Sequence, residues 1–155
     1  MTLNNFQFNT TPGLRFGSGQ AVNSCKEIFN KLGSRILFIT DKGLMSLGLT
    51  KPTIEELKKM CSVEIFDDVE ADPSKKTLLK AIEIGKTIKA TGVIGFGGGS
   101  SMDVAKLSAL ILGSNEDLEQ AWGVSNAKGP RLPLALVPTT AGTGSEVTPV
   151  SIITV

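Results

Sequence analysis

Histidine and tyrosine are absent from this sequence, tryptophan occurs once, cysteine twice, and aromatic residues make up only 5% of it. Without histidine there is no Ser-His-Asp triad, no H-E-x-x-H pair and no imidazole-bound metal within these residues. Cys25 and Cys61 are isolated and lack a C-x-x-C spacing, which predicts buried, reduced thiols rather than a disulfide or a metal site. Charge of one sign is also missing: 16 basic and 15 acidic residues are interspersed and give a net charge of +1. No basic stripe offers a surface to nucleic acid. The longest apolar stretch, near Leu107 to Leu112, is too short to span a bilayer, and the first residues carry no charged leader followed by an apolar run. No membrane partner is expected, and the expected location is the cytoplasm.

What remains is a chain of 155 residues, 41% hydrophobic and 20% charged, long enough for one domain with its own core. Phe6-Gln7-Phe8-Asn9 alternates like a half-buried strand, and the Thr11-Pro12-Gly13 turn leads to Leu14-Arg15-Phe16, together predicting an N-terminal hairpin. Val22, Cys25, Ile28, Phe29 and Leu32 recur at helical spacing, which predicts a helix over 20–32 closed by Gly33. Arg35 to Thr40 reads as a strand buried on both faces. Pro52 opens a helix to about Met60, and Ser62 to Phe66 is a second strand. Asp67, Asp68, Glu70 and Asp72 lack the positional pattern of a calcium loop and read as a solvated loop. A helix follows over 75–90. Residues 115–131 read as loop with at most one helical turn, in which Trp122 is either a stacking platform or a packed anchor. Leu132 to Val137 is a further buried strand, and Val150 to Val155 reads as another.

Three strand ends carry the chemistry. Val93 to Phe96 runs into Gly97, Gly98 and Gly99 and then into a helix, for which Ser100 and Asp103 are spaced as a capping box. Glycines there can take positive φ and let a phosphate approach the backbone amides and the positive helix end, or they can serve a sharp reversal and close packing. The run departs from G-x-G-x-x-G at its last position, and no Walker A lysine follows. Glu116, Asp117 and Glu119 lie at the distance of a ribose-binding acid, but no second strand precedes them. Asp41, at the end of the first buried strand, is either a ribose acceptor or a helix N-cap. The third end, Pro138 to Pro149, holds Thr139, Thr140, Thr143, Ser145 and Thr148 with Gly142 and Gly144, a surface rich in hydroxyl groups. Strands alternating with helices predict an α/β fold with a largely parallel sheet, whose right-handed crossovers bring these three turns to one edge.

Gly97-Gly98-Gly99-Ser100-Ser101-x-Asp103-x-x-Lys106, taken with Pro138-Thr139-Thr140-Ala141-Gly142-Thr143-Gly144-Ser145-Glu146-Val147-Thr148, resembles the iron-containing (group III) alcohol dehydrogenases. Phe16-Gly17-x-Gly19, Thr40-Asp41-x-Gly43 and Asp72-Pro73 are in step with that family. The resemblance implies a Rossmann-like, dehydroquinate synthase-like N-terminal domain over 1–155, apparently truncated, that binds NAD(P) against an all-helical C-terminal domain absent here. It further implies that Gly98, Gly99 and Ser100 hold the pyrophosphate, with Gly97, Ser101 and Asp103 also among the cofactor-binding residues. Asp41 would hold the adenosine ribose, and Thr139, Thr140, Thr143 and Thr148 the adenine and nicotinamide sides. Asp41 favours NAD over NADP, because a 2′-phosphate would meet a carboxylate. The family's divalent metal, iron or zinc, is bound by an aspartate and histidines in the part that follows, so no catalytic or metal residue is expected in 1–155 and this stretch alone is expected to be inactive. The implied function is the cofactor-binding portion of a metal-dependent dehydrogenase passing hydride between NAD(H) and a small alcohol or aldehyde, in a homo-oligomer. The alternatives are a non-catalytic nucleotide-binding or interaction module, or a related reductase or lyase of the dehydroquinate synthase-like superfamily.

Overall fold

The computed structural model describes residues 11–123 and 125–155. Its elements in chain order are α1 (Gln20–Asn23), α2 (Cys25–Leu32), β1 (Arg35–Ile39), α3 (Lys42–Ser46), α4 (Lys51–Lys58), β2 (Ser62–Phe66), α5 (Lys75–Thr87), β3 (Gly92–Gly97), α6 (Gly99–Ser114), α7 (Leu118–Ala121), β4 (Leu134–Pro138) and a 3₁₀ turn at Ser145–Val147. The four strands form one sheet in the order β2-β1-β3-β4, and every pairing is parallel. The fold is α/β and Rossmann-like.

Side chains alternate across a strand with period two, so a continuous apolar strand feeds two cores. Ile36 and Phe38 of β1 face a cluster with Cys25, Leu32, Ile54 and Leu57 from α2 and α4. Leu37 and Ile39 face the opposite cluster, where Leu78, Ala81 and Ile82 of α5 meet Val104, Ala105 and Ala109 of α6. Phe38 and Phe96, on neighbouring strands, stack with ring centroids 5.8 Å apart. Gly95 sets how closely α6 approaches the sheet: a Cβ there would lie 2.6 Å from the Ala105 Cβ and 2.9 Å from Leu136. The Cys25 thiol donates to the carbonyl of Ala21 at 3.3 Å, and burial foremost, with Glu56 and Cys61 nearby, pushes its pKa up. Such a thiol is inert.

The amino ends of the strands are stitched at the other margin of the sheet. Ser62 N donates to Ser34 O at 2.9 Å, Thr91 N to Arg35 O at 2.8 Å, and Arg35 Nε to Lys89 O at 2.7 Å.

Several expected elements differ. Strand Phe6 to Asn9 lies outside the described residues. Its partner, Leu14 to Phe16, is not a strand; Leu14 and Phe16 are 71% and 99% exposed, so no apolar face rewards the pairing. The helix over 20–32 is divided at Ser24. The helix expected to reach Ala90 stops at Thr87, where Lys89 turns left-handed (φ 52) and the Ala90 amide reaches back to Gly85 O at 2.9 Å, a Schellman closure built without glycine. The expected strand over 150–155 is an extended segment with a single parallel bridge, Thr154 to Ser74, and Ile152 and Val155 stay exposed.

The acidic loop is occupied by its own neighbours. Asp68 pairs with Lys42 and Lys80, while Glu70 accepts from the Ser74 amide at 2.9 Å and the Thr77 hydroxyl at 2.7 Å at the start of α5. Among the described residues of 115–131 there is one helical turn, α7. Asp117 caps it, Glu119 pairs with Lys75, and Glu116 accepts from the amides of Lys128 and Gly129, so each of these acids has a structural use away from the glycine turn. Trp122 packs against the α5–α6 core as an anchor. No helix among the described residues is long and apolar enough to cross a membrane.

Candidate functional site

In an all-parallel sheet the carboxyl ends of all strands share one margin, and a ligand crevice opens where the winding reverses. Here β1 connects outward to β2 through α3 and α4, while β3 connects through α6 to β4 on the other side. The crevice therefore lies between the ends of β1 and β3. Ile39 pairs with Gly95 and Gly97 with Pro138. Two residues past Ile39 is Asp41, level with Gly97, and one past Pro138 is Thr139. The three predicted turns are thus adjacent.

Asp41 is half-buried, and its Oδ1 accepts from the amide of Leu44 at 2.9 Å as the N-cap of α3. Its second oxygen leaves a carboxylate position for a further donor. Leu44 leans toward the glycine turn, its Cδ1 3.3 Å from where a Cβ of Gly97 would sit. Thr40, fully buried beneath, has a hydroxyl oxygen with no hydrogen-bond partner.

The glycines divide their tasks. Gly97 adopts φ +154, and a Cβ would meet Ser101 Oγ at 2.7 Å, so this position requires glycine. Gly98 is the extended N-cap of α6, with φ −77, and Gly99 is already helical, so positive φ is confined to Gly97, in correction of the wider expectation. Neither needs glycine for its backbone, but Thr140 atoms stand 3.5 Å from a Cβ position on Gly98 and Thr143 Cγ2 stands 3.3 Å from one on Gly99. The two threonines cover the turn. Thr139 ties the strands together below them, donating its amide to Gly97 O at 2.9 Å.

The capping box between Ser100 and Asp103 does not form; no side chain among the described residues caps α6. The first-turn amides of a helix have no intrahelical acceptor, so this end remains free to take one from a ligand. Gly98, Gly99 and Ser100 are partly exposed there, whereas Ser101 is buried and lies under Gly97. Asp103 points away from the turn. Its Oδ1 accepts from Ser145 Oγ at 2.6 Å and its Oδ2 from the Ile152 amide at 2.9 Å, and Lys106 lies 2.9 Å from Oδ1. Thr139, Thr140, Thr143 and Thr148 are exposed.

The sequence profile of the family described as "Iron-containing alcohol dehydrogenase" matches residues 12–155. The chain belongs to this family. A sulfoacetaldehyde reductase of Bilophila wadsworthia is 31% identical over 150 residues, which cover 96% of this chain and 38% of that protein. Among solved structures, an alcohol dehydrogenase from Oenococcus oeni superposes with a TM-score of 0.85 at 28% identity, covering 93% of this chain and 38% of the other. A sulfoacetaldehyde reductase from Bifidobacterium kashiwanohense, solved in complex with NAD+, superposes with a TM-score of 0.79 at 30% identity, covering 94% and 39%. The chain therefore spans well under half the length of these relatives.

The residues at the crevice fit a dinucleotide: a carboxylate on one side, an uncapped helix end at the centre, exposed threonines above it. They do not fit a metal. Among the described residues no group of three or more His, Cys, Asp or Glu side chains could hold a metal ion. Two contributors were not singled out as site residues from the sequence: Leu44, which borders Gly97, and Ser145, which holds Asp103. The first follows an ordinary cap signal, and the second reads in the sequence as one more hydroxyl of the loop, because its partner Asp103 lies 42 positions away.

Proposed function

We propose that residues 1–155 form the NAD(P)-binding domain of a metal-dependent alcohol dehydrogenase that passes hydride between NAD(H) and a small alcohol or aldehyde, in a homo-oligomer. The observation that carries this reading is the convergence of Asp41, the uncapped Gly98–Gly99 helix start and the threonine loop on the β1/β3 crevice of a family member. The nicotinamide cofactor supplies the hydride acceptor. The chain's own residues bind and orient it: Gly97 lets the backbone turn, Gly98, Gly99 and Ser100 present amides to the pyrophosphate, and Asp41 offers its free oxygen to the ribose hydroxyls. Thr139, Thr140, Thr143 and Thr148 supply hydroxyl groups to the adenine and nicotinamide sides, Ser101 supports the turn from below, and Asp103 holds the threonine loop through Ser145 and Ile152. A carboxylate at position 41 favours NAD over NADP.

No single part of this set is sufficient. A helix N-terminus contributes about 0.3–1 kcal/mol to an anion, and ~2 in a dry site, whereas micromolar affinity needs about 8 kcal/mol. The bond-making centre, with its metal, belongs to sequence other than these residues. Titration calorimetry of the full-length protein with NADH tests the reading; a micromolar dissociation constant is expected, and no heat of binding across the millimolar range would sink it. A panel of alcohols and aldehydes then assigns the substrate class.

A further inference from the structure

The threonine loop has almost no structure of its own. Gly142 and Gly144 are left-handed, with φ 113 and φ 65, and no heavy atom lies within 4 Å of a Cβ position on Gly142. Internal bonds are few: Val147 N to Gly144 O at 3.0 Å, and Ser145 N to Thr143 Oγ1 at 3.4 Å. Among the described residues, every hydrogen bond joining residues 140–153 to the rest of the molecule is made by Asp103 or Lys106. Asp103 takes the Ser145 hydroxyl and the Ile152 amide. Lys106 Nζ donates to the carbonyls of Ser145 at 3.0 Å, Thr148 at 3.5 Å and Val150. The pair is 2.9 Å apart, and its side chains are only 11% and 10% exposed.

We propose that Asp103 and Lys106 are positioning residues, a latch on α6 that holds the threonine loop over the glycine turn in the shape the cofactor needs. This rests on the dinucleotide reading above. Neither side chain touches the cofactor, since both face the loop rather than the crevice. The helix whose free end receives the anion also fixes, one turn later, the loop that covers it. A loop ordered beforehand avoids the entropic cost of being ordered on binding. Without the latch that cost falls on the binding step.

The test uses the full-length protein and two readouts, NADH titration by fluorescence and amide hydrogen exchange. Lys106→Met and Asp103→Ala are expected to raise the NADH dissociation constant about tenfold or more, on the scale of one ordered loop. Exchange should speed over 140–152 while β3 stays protected, and the KM for NAD should rise more than kcat falls. Removing one partner of a buried pair can unfold a protein, so two further variants keep the test decisive: Asp103→Asn/Lys106→Met removes both charges, and Ser145→Ala leaves the pair intact but cuts one tie. Ser145→Thr, which keeps the hydroxyl, should restore affinity relative to Ser145→Ala. If the wild type binds NADH and the variants bind it equally, or if the loop stays protected in them, the latch is overturned. If the wild type itself fails to bind, the dinucleotide reading falls and takes the latch with it.

Discussion

The amide of Thr139 donates to the carbonyl of Gly97 at 2.9 Å, so the final rung between β3 and β4 is also the base of both the glycine turn and the threonine loop. A disturbance at either residue is therefore expected at both turns, and the glycines separate folding from binding.

Gly97→Ala places a Cβ 2.7 Å from Ser101 Oγ at φ +154 and should cost about 1–3 kcal/mol of stability. Gly98→Ala meets nothing closer than 3.5 Å and should stay within about 0.5 kcal/mol of wild type. Because its methyl group enters the gap beneath Thr140, it should weaken NADH about tenfold, ~1.4 kcal/mol. Urea denaturation and fluorescence titration of both variants check the contrast.

Asp41 caps α3 and faces the crevice, and two substitutions separate those roles. Asp41→Asn retains an acceptor for the Leu44 amide and should leave stability within a few tenths of a kcal/mol, whereas Asp41→Ala should cost about 1 kcal/mol. Loss of the carboxylate should relax the preference for NADH over NADPH in both variants. Thermal melting and the ratio of the two KM values measure the separate effects.

Glu70 gives an acid limb to stability. Burial works to raise its pKa, but the Ser74 amide and Thr77 hydroxyl outweigh it and hold the carboxyl at about 2, down from 4.5. A depressed folded-state pKa contributes stability that is present above the unfolded value and is lost as pH falls from about 4.5 toward 2. The side chain is exposed, so solvent screening limits the effect to about 1 kcal/mol. Glu70→Gln should flatten this part of the pH profile, as urea midpoints at pH 6 and pH 3 would show.

The strands were readable where apolar residues run without interruption. Ile36 to Ile39 and Val93 to Phe96 are buried on both faces, and an uninterrupted apolar run reports that condition, while Arg35 at the strand's start stays exposed. The convergence of Asp41, Gly97 and Thr139 was readable because parallel strands leave no choice of margin. Tertiary partners were not. The Ser100–Asp103 spacing fits a local cap, but Asp103 found Ser145 and Ile152, 42 and 49 positions away, and a buried carboxylate with three donors outcompetes a solvated cap. The end of α5 carried no glycine, because Lys89 takes the left-handed turn itself. Over 150–155 the apolar alternation finds no neighbouring strand among the described residues, and Thr154 makes a single bridge, to Ser74.

The stitches among Ser34, Ser62, Arg35, Lys89 and Thr91 lie at the far margin from Asp41, Gly98 and Thr140. This separation makes the crevice tunable: a library randomised at Thr140, Thr143 and Thr148 would explore ligand preference on an intact scaffold, while the same diversity at Thr91 or Arg35 would be screened for folding before any preference could emerge.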